Sequence, residues 1–107
     1  MNDSDKENDW KMFRNMAPKL RERYLTARIA ELTSILHSPQ LSQTDRFWIC
    51  EERTKEIAKV LRECLDGHTR SKMVFFMRVM ITHGMMNEDD ISEFSQEVRE
   101  RFSSDIQ

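Results

Sequence analysis

The side chains with the most varied chemistry in this 107-residue chain are two cysteines and three histidines. They are Cys50, Cys64, His37, His68 and His83. Thiolates and imidazoles are the usual ligands of zinc, which in structural sites takes four ligands in closely spaced pairs. Cys64 and His68 are one helical turn apart, but Gly67 is expected to break the helix between them. We therefore predict no metal site and no bound cofactor.

The same residues do not form a recognisable catalytic pattern. A cysteine nucleophile needs a lowered pKa, whereas Cys50 and Cys64 fall on the predicted core face of a helix, where burial raises the pKa of a thiol. A glycine-rich phosphate-binding loop is absent from the sequence, which has two glycines in all. Adjacent carboxylates such as Glu51 and Glu52 are typical of solvated helix surfaces. We expect no enzymatic activity and no catalytic residue.

Composition favours helices over strands. Two glycines and two prolines are few for a β-rich fold, which needs many turns. Charged residues make up 34% of the chain and apolar residues 38%, a balance suited to thin helical layers. We predict a flexible acidic tail at 1–9, a single helical domain at 10–103 and a frayed C-terminus at 104–107.

Apolar residues recur at alternating steps of three and four, which predicts helices near 15–37, 44–65, 70–83 and 88–102. Pro18 leaves two possibilities open for the first of them. Either a short helix precedes a second one capped by Asn15, or one helix runs through with a kink. The predicted fold is an all-α bundle of four or five helices.

Residues with capping preferences mark the ends of these helices. Ser42 or Thr44 is suited to cap the second helix, Gly84 to end the third, and Asn87 to cap the fourth. Acidic residues follow Asn87 at once, and the positive end of the helix dipole favours them there.

The segment Met73–Ile81 has eight apolar residues out of nine. Periodicity alone does not separate a buried strand from a buried helix here. A helix is favoured because no other segment offers a strand to pair with its backbone. A helix that is apolar on all sides belongs in the centre of a bundle or at an interface. We predict a homodimer in which core and interface share five residues: Phe75, Phe76, Met77, Val79 and Met80.

Charge is segregated along the chain. Residues 11–28 carry a net charge of +5 and residues 88–105 a net charge of −5. The basic residues are Lys11, Arg14, Lys19, Arg21, Arg23 and Arg28. Three interpretations are open: the basic and acidic helices pack together, the basic helix contacts an acidic protein partner, or it contacts nucleic-acid phosphates.

These features together favour a small non-enzymatic interaction or regulatory protein that docks on another macromolecule, with a protein partner favoured. The alternative is a nucleic-acid-binding regulatory protein that uses the basic helix at 11–28. The N-terminus lacks the apolar segment of a signal peptide, and no apolar run approaches the ~20 residues that a membrane span requires. We therefore expect a cytoplasmic protein without membrane contact.

Overall fold

Two long antiparallel helices determine the length of the molecule. The computed structural model describes residues 3–103. Helix α1 spans Asp3–Leu36 and α2 spans Gln43–Leu65. A 3-10 turn at Arg70–Lys72 leads into α3 at Met73–Thr82, and two short helices follow, α4 at Glu88–Ile91 and α5 at Gln96–Phe102. Residues 3–103 contain no strand, so the predicted all-α class is confirmed.

Helix α1 begins earlier than predicted and is continuous through Pro18. Residues 3–9, predicted as a flexible tail, form its first two turns. Pro18 cannot donate a backbone hydrogen bond to the carbonyl of Arg14, but both residues are exposed, so water can hydrate that carbonyl. The predicted frayed C-terminus at 104–107 lies outside the described residues, as do residues 1–2.

The predicted helix ends are found where the local signals place them. The Ser42 side chain accepts a hydrogen bond from the backbone N–H of Asp45 and caps α2. Asn87 caps α4 in a reciprocal capping box with Asp90. Gly84 follows α3 with φ of 74°, a left-handed conformation that glycine adopts without strain.

The predicted helix at 88–102 is corrected to two shorter helices, α4 and α5. The chain leaves helical geometry between them, and Ser95 caps α5 through a hydrogen bond with the backbone N–H of Val98. Helical spacing predicts one apolar stripe along 88–102, and the break still allows this stripe to face inward. All four of its residues are buried: Ile91, Phe94, Val98 and Phe102.

The hydrophobic core occupies one end of the molecule. It joins the first part of α1, the last part of α2, and α3 to α5. Phe13, Met77 and Phe102 are among its fully enclosed side chains. Two buried carboxylates, Asp9 and Asp90, connect α1 to the short C-terminal helices. Helices α3 to α5 thus form a cover over one half of the α1–α2 pair.

The other half of that pair extends beyond the core. The described chain measures 58 × 27 × 18 Å, and its radius of gyration is 17.0 Å. A compact domain of this length has a radius of gyration of about 13 Å. The difference arises because residues 25–56 project as two helices and a loop. We call this segment, formed by 25–36 of α1, the loop 37–42 and 43–56 of α2, the distal hairpin.

Candidate protein interface

A network of ion pairs joins the two helices of the distal hairpin. Arg53 of α2 donates two hydrogen bonds to the carboxylate of Glu31 on α1, one of them from Nη2 to Oε1 at 3.2 Å. Arg53 also pairs with Glu56 at 2.9 Å, and Arg28 pairs with Glu31 at 3.4 Å. The hydrogen bond from Arg53 lowers the pKa of Glu31 below its ordinary value.

Contacts to backbone carbonyls fix the tip of the hairpin. The Arg46 guanidinium donates to the carbonyl of Ser38 from Nε at 3.1 Å and from Nη2 at 2.7 Å. Further down, the Cys50 thiol lies 3.8 Å from the carbonyl oxygen of Leu32 and donates to it. These contacts hold the loop and both helices in one arrangement.

The distal hairpin nevertheless has no core of its own. From residue 25 to residue 56, no side chain is buried. Five large apolar side chains in this segment are exposed: Ile29 (57%), Leu36 (51%), Phe47 (59%), Trp48 (59%) and Ile49 (40%). Phe47 and Trp48 contact each other edge to face, with ring centroids 4.9 Å apart. The apolar side of this helix pair therefore faces solvent.

Four of the five exposed residues lie on neighbouring parts of the hairpin. Ile29 and Leu36 are seven residues apart, which puts them on one face of α1. Leu36 is one turn beyond Leu32, and Phe47 is one turn before Cys50, so Leu36 and Phe47 lie at the same level of the helix pair. Trp48 adjoins Phe47.

Ile49 is excluded from this group. It follows Phe47 by two residues, which is about 200° around the helix, so its side chain points away from that of Phe47. We call the remaining four residues the hairpin surface: Ile29, Leu36, Phe47 and Trp48.

Three of the five α3 residues that were predicted to be shared between the core and a dimer interface lie in the core. Phe76, Met77 and Met80 are buried in the core of a single chain, and Val79 is half-buried. Side chains of α1, α2 and the short C-terminal helices belong to the same core as these three residues, and a dimer contact on α3 stays a prediction. Phe75 is 59% exposed, with its ring centroid 5.3 Å from that of Phe76.

The basic residues of α1 do not form one positive face. Arg14, Arg21 and Arg28 recur at seven-residue steps on one side, while Lys19 and Arg23 lie on another.

Carboxylates also neutralise several of these basic side chains. Arg23 donates to Asp90 from Nη1 at 3.1 Å and from Nη2 at 2.6 Å, and this pairing raises the pKa of Arg23. Arg21 pairs with Glu22 and Arg28 with Glu31, whereas Lys11 and Lys19 are exposed. The packing of basic α1 against acidic α4 accounts for one part of the charge segregation.

Cys64 and His68 are close together, but their contact is structural. The His68 ring donates from Nε2 to the backbone carbonyl of Cys64 at 2.7 Å. The ring lies between Phe13 and Phe76, with centroids at 4.8 Å and 4.7 Å. Burial raises the pKa of the Cys64 thiol to about 11, and the thiol is therefore a poor nucleophile. Within residues 3–103, no three His, Cys, Asp or Glu side chains are grouped so as to hold a metal ion.

A groove of about 560 Å³ lies where the start of α1 meets α3 and α5. Trp10, Val74 and Val98 contribute its apolar lining. At its rim, Arg70 forms a bidentate pair with Glu7, with Nε 2.9 Å from Oε2 and Nη2 3.0 Å from Oε1. Because these two charges neutralise each other, the pair gives the groove little selectivity for a charged ligand.

The hairpin surface was not predicted as a site. The helical spacing of Phe47, Cys50 and Ile57 predicts that all three face inward from α2, but Phe47 is 59% exposed. The run Phe47, Trp48, Ile49 carried a signal, because three consecutive side chains are 100° apart and cannot all face one neighbouring helix. At least one large apolar residue there had to be exposed or covered by another layer.

Comparison with known proteins adds no relative. The chain matches no protein-family model, and neither the curated proteins nor the solved structures contain a significant match. Among the helices of residues 3–103, none combines the length and the apolar character that crossing a membrane requires.

Proposed function

We propose that this protein acts without catalysing a reaction, by docking on another protein through its distal hairpin. The observation that carries the proposal is the contrast between the two ends of the molecule. One end has an enclosed core, while residues 25–56 bury no side chain and expose five large apolar ones. Exposed apolar patches of several hundred Å² are typical of protein interaction sites.

The energy available from covering the hairpin surface is comparable with the cost of association. The exposed parts of its four side chains amount to about 400 Å², taking about 200 Å² for a whole aromatic side chain and somewhat less for an aliphatic one. At about 25 cal/mol per Å², covering them contributes about 10 kcal/mol. Association costs about 4–15 kcal/mol in lost freedom, so a partner needs apolar surface of its own and good shape complementarity.

Rigidity supports the same function. The ion pair of Glu31 on α1 with Arg53 on α2 holds the two helices in place before a partner arrives, and Arg28 pairs with the same carboxylate from within α1. A surface organised in advance loses less side-chain and backbone freedom on binding.

The proposal is tested by capturing the partner and then locating its contact. The native chain should retain a protein in stoichiometric amount, which mass spectrometry identifies and which is then purified and titrated calorimetrically. Phe47→Glu with Trp48→Glu should weaken this binding at least a hundredfold, because it places two charges in the contact.

Phe75→Glu is the matched control for this titration, since Phe75 is as exposed as Phe47 and lies outside the hairpin. Unchanged affinity with Phe75→Glu and lost affinity with the hairpin variant support the proposal. Equal affinity for all three chains contradicts it.

Nucleic-acid binding by the basic helix remains the alternative proposal. Lys11, Arg14 and Lys19 are the residues available for it, because they are exposed and not paired with a carboxylate in residues 3–103. It predicts binding that weakens steeply as salt concentration rises and that is lost in Lys11→Glu with Lys19→Glu. Absence of any gel shift at low salt excludes this alternative.

A further inference from the structure

We propose that the first occupant of the hairpin surface is a second copy of this chain, with the two distal hairpins forming a four-helix bundle. This inference rests on the proposed function, because it names the partner for the same surface. It differs from the dimer predicted from the sequence, which placed the contact on α3.

The layer structure of the molecule points to this occupant. Helices α3 to α5 provide a second layer over one half of the α1–α2 pair, and the distal half has none. A stable helical fold needs at least two packed layers around a core. A second hairpin of the same length provides the missing layer, and two antiparallel helix pairs are the components of a four-helix bundle.

Charge complementarity also favours a second copy over a strongly charged partner. Residues 25–56 contain four basic and five acidic residues, a net charge of −1. Most of these charges are already paired within the hairpin, including Arg53 with Glu31 and Lys55 with Glu51. Such a surface neither attracts a highly charged molecule nor repels an identical one.

The available apolar area matches what a dimer of standard size needs. Such an interface buries about 800 Å² per partner, of which about 450 Å² is apolar. The hairpin surface offers about 400 Å² on each copy.

A consequence follows for any other protein that docks on the hairpin. The two occupants use one surface, so a heterologous partner competes with the second copy. Self-association then sets how much of the hairpin surface is free at a given concentration.

Sedimentation velocity of the full chain tests this proposal over a concentration range from low micromolar to millimolar. The expected mass at high concentration is twice the chain mass of 12.9 kDa. Ile29→Glu with Phe47→Glu should give a monomer over the whole range. Glutamate is a good helix former, so helix content measured by circular dichroism should stay close to that of the native chain.

Phe75→Glu is again the control and should leave the dimer intact. An independent reading comes from amide hydrogen exchange of the native chain at low and high concentration. Protection that increases with concentration should be confined to 25–56, whether or not the double variant keeps its helix content.

Three results overturn the second-copy proposal: a native chain that is monomeric throughout, a dimer that persists in the double variant, or a dimer that dissociates in Phe75→Glu. The first result also separates the two proposals. A monomer that still binds a heterologous protein through Phe47 leaves the docking function in place and removes the second copy as occupant. A dimer that binds no other protein does the reverse.

Discussion

Ser95 donates two hydrogen bonds to the carboxylate of Asp9, 86 residues earlier in the chain. Its backbone N–H lies 2.9 Å from Oδ1, and its hydroxyl lies 2.7 Å from Oδ2. Asp9 is 4% exposed and Ser95 is half-buried, so the carboxylate has little access to water. The second turn of α1 thereby holds Ser95, the N-cap residue of α5, and the C-terminal helices are fixed to the long helix at this point.

Replacing Asp9 should loosen that end of the molecule. Asp9→Ala removes the acceptor of both bonds and leaves the part-buried N–H of Ser95 without this partner, which should lower the free energy of unfolding by about 2–3 kcal/mol. Urea denaturation measures the change. Asn8→Ala is the control, because Asn8 is exposed and next to Asp9. A loss for Asp9→Ala no greater than that for Asn8→Ala contradicts the role assigned to this carboxylate.

Arg23 and Asp90 should show a measurable coupling. Asp90 accepts from Arg23 and also from the backbone N–H of Asn87 in the capping box. Asp90→Ala should therefore cost more than Arg23→Ala by about 1 kcal/mol, the typical contribution of a cap. A double-mutant cycle should give a coupling free energy of about 1 kcal/mol. Additive effects of the two substitutions would count against a direct pair. Arg21→Ala is the control: Arg21 forms an exposed pair with its neighbour Glu22, so its loss should change stability little.

The ion pairs of the hairpin predict a particular dependence of stability on pH. In the folded state, the hydrogen bond from Arg53 lowers the pKa of Glu31 below its ordinary value of 4.5. The stabilisation from Glu31 is therefore fully present above pH 4.5 and is lost as the pH falls through the lowered folded pKa. Glu31→Gln should lose less thermal stability than the native chain on acidification.

Melting temperatures of both chains, measured from neutral to strongly acidic pH, check this expectation. Glu52→Gln serves as the control, since Glu52 forms no ion pair within residues 3–103. If the melting temperature of Glu31→Gln falls with pH as steeply as that of the native chain, the contact with Arg53 does not stabilise the fold.

The two cysteines should differ in reactivity. Cys64 is fully enclosed, and burial raises its pKa to about 11, whereas Cys50 is half-buried. At mildly alkaline pH, iodoacetamide should modify Cys50 well before Cys64, because the thiolate is the reactive form and Cys64 stays protonated and shielded. Mass spectrometry of peptides gives both rates. Equal rates in the folded chain are inconsistent with the core described here, and in urea the two rates should become similar.

Local signals in the sequence were sufficient for most of the fold. Ser42, Gly84 and Asn87 act through neighbouring backbone groups, so their roles are visible in a few residues of sequence. The break before α5 was missed because Asp9, which fixes Ser95, lies at the other end of the chain. The sequence could not decide between one helix and two at Pro18. The energetic cost of a proline inside a helix depends on whether solvent reaches the carbonyl that it leaves unpaired.

The candidate interface was harder to predict for a different reason. Phe47 has the helical spacing of a core residue, and periodicity does not distinguish a core within one chain from a core shared with a partner. Met77 and Met80 show the reverse case, since their crowded apolar segment suggested an interface and proved to be enclosed. Tertiary packing determines whether each of these side chains is exposed or buried, and no local sequence pattern predicts that packing.

Hydroxyl-radical footprinting of the chain in native lysate and as dilute purified protein tests directly whether the distal hairpin is covered by protein. Trp48 and Phe75 are both 59% exposed, and Phe75, which lies outside the distal hairpin, is the internal reference. The oxidation of each residue is compared between the two conditions. We expect oxidation of Trp48 to fall several-fold in lysate while that of Phe75 stays the same. Unchanged oxidation of Trp48 would contradict the docking of another protein on the distal hairpin.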